Sequence, residues 1–374
     1  MLKSNKKKMK LLLKTQGFKN AFREIIRITL AILIAYIIAF IIIFFVSDEP
    51  LSSIHWFVAG PFSNLNEFGE VIKNSMPLIF AGIASCIILK SGQFNMFTEG
   101  AFYVGGFVAA VCAIYLGLPP VLSIIVALSL AGIFSGLIGY IPSKLKAKYD
   151  VNEFVSSIMM NFIILWIGIW LISNVIIDVS SGDTATLPIP VSSKLATLIH
   201  GTNITTGILI AIALTILLTI FLYKTKKGYA LRMTGDNPNF ARYAGIKPKK
   251  SLLLAQVIGI VIAGIGGGVE ILSNYSRFNW KVLPGFGFDG FMVAIIAKNK
   301  PQMVIPAALF IGYMRSGANL MAFNGDVTTE VVSIIQGIII ILIASQSFFS
   351  QEMYRKLFQK KTISSQKEEV NDHA

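Results

Sequence analysis

Apolar stretches of about bilayer-spanning length recur along almost the whole chain, and no other feature limits the fold as much. Ten can be marked, at about 28–46, 76–89, 101–118, 121–142, 154–177, 205–223, 251–272, 283–297, 302–323 and 327–348. A helix gains about 1.5 Å per residue, so about 20 apolar residues cross the hydrocarbon core. Charged residues make up 14% of the chain, against roughly a quarter in soluble proteins. The expected fold is an all-α integral membrane protein with about ten transmembrane helices.

In a soluble protein the net charge of +14 would point to nucleic acid. In a membrane chain the position of the charge carries the information, because lysine and arginine accumulate on the cytoplasmic side. With a cytoplasmic N-terminus, Lys73, Lys194, Arg277 and Lys281 fall outside and Arg315 falls within a span. All other lysines and arginines among the 33 lie inside. Both ends are therefore expected in the cytoplasm, and the lipid bilayer, not nucleic acid, is the partner that composition implies. The domains are a basic N-terminal segment (1–27), a transmembrane region (28–348) with a large cytoplasmic loop (224–250), and a polar cytoplasmic tail (349–374). The first apolar run is followed by Ser47-Asp48-Glu49-Pro50 and no small-residue cleavage site, so it is expected to remain as a first span. Cys86 and Cys112 sit in apolar runs and read as small hydrophobes. His55, His200 and His373 are scattered, without the spacing of a metal site.

Two segments depart from the simple pattern. Met76–Leu89 is short and runs into KSGQFNMFTEG, and Leu283–Ala297 is short and opens with PGFGFDG. Short, glycine-interrupted segments at comparable places in two halves point to broken helices around a central pathway. Glu99-Gly100-Ala101-Phe102 and Asp289-Gly290-Phe291 both place acid, glycine and aromatic at the start of an apolar run. The two runs point opposite ways in this topology, as an inverted repeat would. Chance similarity over so few residues is the competing reading.

The loop KTKKGYALRMTGDNPNFARYAGIKPKK carries a helix signature. Asp236 or Asn237 can cap, Pro238 suits the first helical position, and Gly245 supplies a stop. Phe240, Tyr243 and Ala244 then share one face, with Arg242 beside them. A capped basic turn resting on lipid headgroups is the plain reading. A second observation favours a docking piece. The sequence has no G-x-x-x-x-G-K-[ST] and no Gly-Lys pair, so a pump built on it must borrow its ATPase.

GDNPNFARYAGI resembles the coupling-loop signature of ABC importer permeases, in the class serving branched-chain amino acids, simple sugars and nucleosides. The resemblance extends through FNMFTEGAFYVGGF, NEFVSSIMMNFI and GFGFDGFMVAIIAKNKPQMVIPAALFIGYMRSGANLM, from residue 94 to about 321. The last block is similar to the nucleoside (simple-sugar-type) branch. Where the family motif often has Glu-Ala-Ala, this loop has Asn239-Phe240-Ala241. The resemblance implies a bacterial plasma-membrane permease subunit that is not itself an enzyme. Its expected partners are an ATP-binding subunit that holds ATP and Mg, a second permease subunit (a copy or a homologue), and an extracytoplasmic substrate-binding lipoprotein. The docking residues would be Asp236, Asn237, Pro238, Phe240, Arg242, Tyr243 and Gly245.

Polar side chains inside spans are costly and tend to face a cavity or one another. Phe94, Asn95, Glu99, Ser157, Asn161, Phe286, Phe288, Asp289 and Asn319 are candidates for a translocation path. Glu99, Asp289 and Glu153 can instead cap their own helices, and each phenylalanine can face lipid. Arg315 and Asn319 share a helix face, and Glu270 is the expected intramembrane partner of Arg315. Gln336 is a further buried-amide candidate. The cluster Gly264, Gly266, Gly267, Gly268 reads as helix-packing surface. Two other functional readings stand beside the nucleoside importer. One is an ABC permease for simple sugars or branched-chain amino acids, and the other is a stand-alone ion-coupled carrier. An intramembrane enzyme lacks a paired nucleophile and base.

Overall fold

The computed structural model describes residues 37–38, 40–45, 47–325, 327, 334 and 337–338. The segments 1–27 and 349–374 and Gln336 lie outside the described residues, as do most of the expected spans 28–46 and 327–348. Residues 57–320 form one compact unit, and the described residues on either side of it belong to a second.

Between residues 50 and 324 of the described part, α-helices follow one another as α1 (Pro50–Val58), α2 (Leu65–Lys90), α3 (Thr98–Tyr115), α4 (Pro120–Tyr149), α5 (Glu153–Asn174), α6 (Gly207–Lys224), α7 (Lys226–Asp236), α8 (Pro238–Tyr243), α9 (Pro248–Asn274), α10 (Phe286–Ile296) and α11 (Val304–Asn324). Among the described residues there is no strand beyond an isolated bridge between Thr197 and Thr205. Six helices among the described residues, α2 to α6 and α9, are long and apolar enough to cross a membrane, and α10 is apolar but short.

Burial separates a centre from a perimeter. The apolar windows of α2, α3 and α9 are 83%, 67% and 61% buried, whereas those of α4, α5 and α6 are 39%, 28% and 28% buried. The perimeter helices turn Ile133, Leu137, Phe162, Trp166, Ile216 and Leu217 outward, as lipid requires. At the centre, glycines bring backbones together. A β-carbon on Gly105 would stand 1.9 Å from the Gly264 carbonyl, and one on Gly267 would stand 2.0 Å from that of Phe102. The glycine run is thus the surface on which α9 meets α3, in line with small-residue packing.

Two boundaries differ from expectation. The segment that begins at 76 is not short, because α2 starts at Leu65 and runs for 26 residues. Its first turns are too polar to register as an apolar run, and the Lys73 ammonium meets the Glu70 carboxylate at 3.1 Å. The break falls after it, at 91–97. Residues 226–236 form a helix, α7, where a basic loop was expected. The Thr225 hydroxyl caps it by accepting from Gly228 N–H at 3.0 Å, and Leu231 is fully buried beneath it.

Between α5 and α6, residues 175–206 form an ordered cap over the 275–281 segment. Arg277 pairs with Asp178 and Lys281 with Asp183. Backbone N–H groups of Thr186 and Ile189 donate to Phe278 and Ser276 carbonyls at 3.1 and 2.8 Å. Serine and arginine donors hold the Asp178 carboxyl below the usual carboxylate range, the Ser180 hydroxyl first and the Arg277 guanidinium next.

Candidate functional site: an exposed capped helix and a buried carboxylate

The helix at 238–243 is defined at both ends by side chain and backbone. Asn237, not Asp236, is the cap. Its Oδ1 accepts from Asn239 and Phe240 N–H, both at 3.0 Å, while Asp236 ends α7 and lies 4.0 Å from the Lys90 ammonium. Pro238 takes the first position. At the other end Gly245 adopts φ +79°. Its N–H bonds to the Arg242 carbonyl and Ile246 N–H to that of Ala241, both at 3.0 Å, which is the Schellman arrangement. Ala241 is fully buried, whereas Phe240 is 54% and Tyr243 92% exposed. Ala244 and Arg242 are exposed too. Two aromatic rings therefore project from a stiff, doubly capped turn.

This turn is joined to the membrane helices through glycine. A β-carbon on Gly235 would stand 2.2 Å from the Lys90 carbonyl at the end of α2. Gly92, at φ +78°, meets the Gly235 carbonyl in return.

After Lys90 the chain turns into a non-helical stretch, 91–97, that lies largely inside the protein. Buried backbone without helical bonds needs other partners, and side chains of α5 supply them, while Gln256 of α9 joins the side chains of the stretch. Ser157 Oγ on α5 accepts from Met96 N–H, and Asn161 Oδ1 accepts from Gly100 N–H, both at 3.0 Å. The Asn161 amide donates to the Met96 carbonyl at 3.0 Å. Asn95 donates to Gln256 Oε1 at 2.8 Å and accepts from Phe97 N–H at 2.8 Å. Gln256 in turn donates to Gln93 Oε1 at 2.7 Å. Asn95, Ser157, Asn161 and Gln256 are all at most 2% exposed. These amides hold a re-entrant backbone. Gln256 and Gln93 were not singled out in the sequence, although an amide within LLLAQVIGIVIAG is a readable sign.

Glu99 closes the stretch. It stands in the first turn of α3 but does not cap that helix. Its Oε1 accepts from Gly285 N–H and its Oε2 from Gly287 N–H, each at 2.5 Å. It therefore caps the start of α10, where charge and helix dipole agree. Gly287 is required, since a β-carbon there would stand 2.4 Å from the Glu99 nitrogen. Phe97 and Ile260 press on the same glycine, Gly139. Ile260 lies about 18 Å along α9 from Pro248 and about 21 Å from Asn274 at 1.5 Å per residue. Phe97, two residues before Glu99, thus lies level with the middle of α9.

Asp289, in the first turn of α10, meets Arg315 of α11 at 2.5 Å. The expected Glu270–Arg315 pair is corrected by this contact. Glu270 instead accepts from Asn274, one turn on, at 2.9 Å. The face around Asp289 and Arg315 is open. Their side chains are 21% and 28% exposed, Phe288 is 44% exposed, and Asn319 is exposed one turn from Arg315. Phe286 packs on Phe102, ring centroids 5.7 Å apart, and Phe94 lies against Phe291 at 4.9 Å and Phe154 at 5.5 Å. Glu153 does not cap α5, a task done by Asn152. It accepts from Phe94 N–H at 3.3 Å and pairs with Lys146 at 3.1 Å.

A set of apolar helices around buried non-helical backbone, with an open charged face and an exposed capped turn, is the architecture of a multi-pass membrane protein. The chain belongs to the family described as branched-chain amino acid transport system / permease component, whose match runs over residues 68–344. It is 31% identical over 292 residues to the guanosine ABC transporter permease protein NupP of Bacillus subtilis, with 76% of this chain and 83% of that protein covered. It is 28% identical to the glucose ABC transporter permease protein TsgB13 of Haloferax volcanii, over 76% and 78% of the two chains. To the nucleoside ABC transporter permease protein NupB of Lactococcus lactis it is 27% identical, over 74% and 78%.

Proposed function

We propose that this chain is one membrane subunit of an ATP-driven importer of nucleosides. Its docking turn, α8, would be gripped by a separate ATP-binding subunit. The observation that carries the reading is the outward projection of Phe240 and Tyr243 from a turn capped at both ends, while Ala241 is fully buried beneath it. Exposed aromatics on a rigid support are what a partner surface holds well. Nucleosides are favoured as cargo because NupP and NupB carry guanosine and nucleoside in their names.

The translocation path is assigned to the open face of α10 and α11. An ionised pair facing lipid is costly, so the Asp289–Arg315 face requires an aqueous path or a second membrane subunit beside it. Two further proteins, NupQ of Bacillus subtilis and NupC of Lactococcus lactis, also resemble this chain, at 25% and 26% identity. Each shares its organism with a relative named above, which favours a homologous rather than identical second subunit. The remaining assignments are ten spans with both ends in the cytoplasm of a bacterial cell, and an extracytoplasmic binding lipoprotein as the source of cargo.

A simple-sugar cargo is the second reading, on the similarity to TsgB13. Uptake of radiolabelled guanosine in a strain lacking this chain, with glucose, ribose and leucine as competitors and with a protonophore, tests both. Guanosine uptake that depends on the chain and survives the protonophore supports the proposal. Displacement by glucose or ribose alone transfers the assignment to sugars. Collapse with the protonophore at constant ATP transfers it to a gradient-driven carrier.

A further inference from the structure

The exposed turn α8 and the Asp289–Arg315 pair lie on different elements, yet a continuous series of short contacts joins them. Asn237 caps the start of α8 and is also the residue that follows the last residue of α7, as its C-cap. Two residues earlier, Gly235 is locked against the Lys90 carbonyl and Gly92. Gln93 then enters the amide chain with Gln256 and Asn95. Asn95 holds Phe97 N–H, and two residues on, Glu99 grips the first turn of α10 through two amide N–H groups. Asp289 stands in that same turn, paired with Arg315.

We propose that Glu99 is the positioning residue that carries movement of the docking turn to α10 and so sets the charged face of the path. This rests on the importer reading above. The physical case is one of stiffness. The 91–97 stretch is tied to α2 by Ser91 and Gly92 N–H, to α3 by the Phe97 carbonyl and in between by buried side-chain bonds, so a displacement at Lys90 and Gly92 moves it as a piece. α10 has 11 residues and begins at Gly285 in the left-handed region, with no neighbour within 4 Å of a β-carbon at that position. Its first turn is packed closely, Gly287 on Glu99 and Gly290 on Ala81, and the Glu99 carboxylate is the side chain of the 91–99 segment that bonds to it, through two N–H groups. Carboxylate-to-amide bonds are charge-assisted and directional. A glutamine at 99 keeps the size but turns one acceptor into a donor facing an N–H.

The test uses the whole transporter, this chain with its ATPase, second subunit and binding protein, in proteoliposomes. Guanosine uptake and ATP hydrolysis are measured together. Glu99→Gln is expected to lower guanosine carried per ATP at least about fivefold, with hydrolysis stimulated by the binding protein staying within about twofold. Glu99→Asp, which keeps both acceptors, is expected to recover part of the loss. Uptake and hydrolysis falling in parallel, or neither changing, overturns the proposal. Should Glu99→Gln fail to assemble, Gln256→Leu breaks the same series at its other buried link and is read in the same way. Failure of the importer reading looks different, because the unsubstituted complex would then show no ATP-dependent uptake.

Discussion

Gly235 lies so close to the carbonyl oxygen of Lys90 that a β-carbon would stand 2.2 Å from it. No real β-carbon tolerates that distance to backbone, so the end of α7 and the end of α2 move together or separate. Gly235→Ala is expected to cost about 1–3 kcal/mol as an overpacking change. It is read as a lower melting temperature of the purified chain in detergent. An unchanged melt would show that α7 shifts away from α2 without cost.

Removing the aromatic projection should separate assembly from folding. Phe240→Ala with Tyr243→Ala takes away two rings that are 54% and 92% exposed, so the melting temperature should hold. Co-purification of the ATP-binding subunit is expected to fall at least about tenfold, as for loss of an interface anchor. Retention of the ATPase would place the docking contact elsewhere.

The cap of the same turn offers a local readout. Asn237→Ala leaves Asn239 and Phe240 N–H without their acceptor, at a cost of about 1 kcal/mol. Hydrogen exchange at those two amides should accelerate by about fivefold, while Leu231 in α7 stays protected. Equal acceleration across both helices would mean that the cap holds α7 as well.

The Asp289–Arg315 pair should show coupling in a double-mutant cycle. Arg315→Met strands a carboxylate, Asp289→Asn strands a guanidinium, and either alone should destabilise by about 1–3 kcal/mol. The double variant should be less damaging than the sum. Strict additivity would show the contact to be incidental.

Asp178 gives a pH dependence of known sign. Its carboxyl is held below the usual range by Ser180 and then Arg277. Such a group contributes stability that is fully present above its unfolded pKa and is lost as pH falls through the lower folded value. The cap over 275–281 should thus be constant from neutral pH down to about 4 and loosen only below that. The fluorescence of Trp280, which is 7% exposed and tilted against Phe278 with ring centroids 5.3 Å apart, reports it, with Trp280→Phe as the blank. Loosening already at pH 5.5 would assign the cap to other contacts.

How much was legible depended on whether a signal is local. A cap at Asp236 or Asn237, Pro238 at the first position and Gly245 as stop could be read because each acts on its own backbone within four residues, and the structure chose Asn237. Hydrophobic runs located most central helices to within a few residues for the same reason, since apolarity is a property of each segment. α7 was missed because its charged face hides the few buried contacts, Gly228, Leu231 and Thr234, that make it a helix. The start of α2 was missed because Glu70 and Lys73 neutralise each other only once folded.

The sequence by itself determined that this chain is a set of membrane helices with a capped polar turn, because length, apolarity and capping are read residue by residue. Only the tertiary structure decided which helix Glu99 caps and which carboxylate meets Arg315. Both pairings span large sequence separations, Glu99 to Gly285 and Asp289 to Arg315. A carboxylate has no preference among helix starts or guanidinium groups until packing brings one within reach. In this chain the glycine contacts between α3 and α9, and between Gly287 and Glu99, fix that choice.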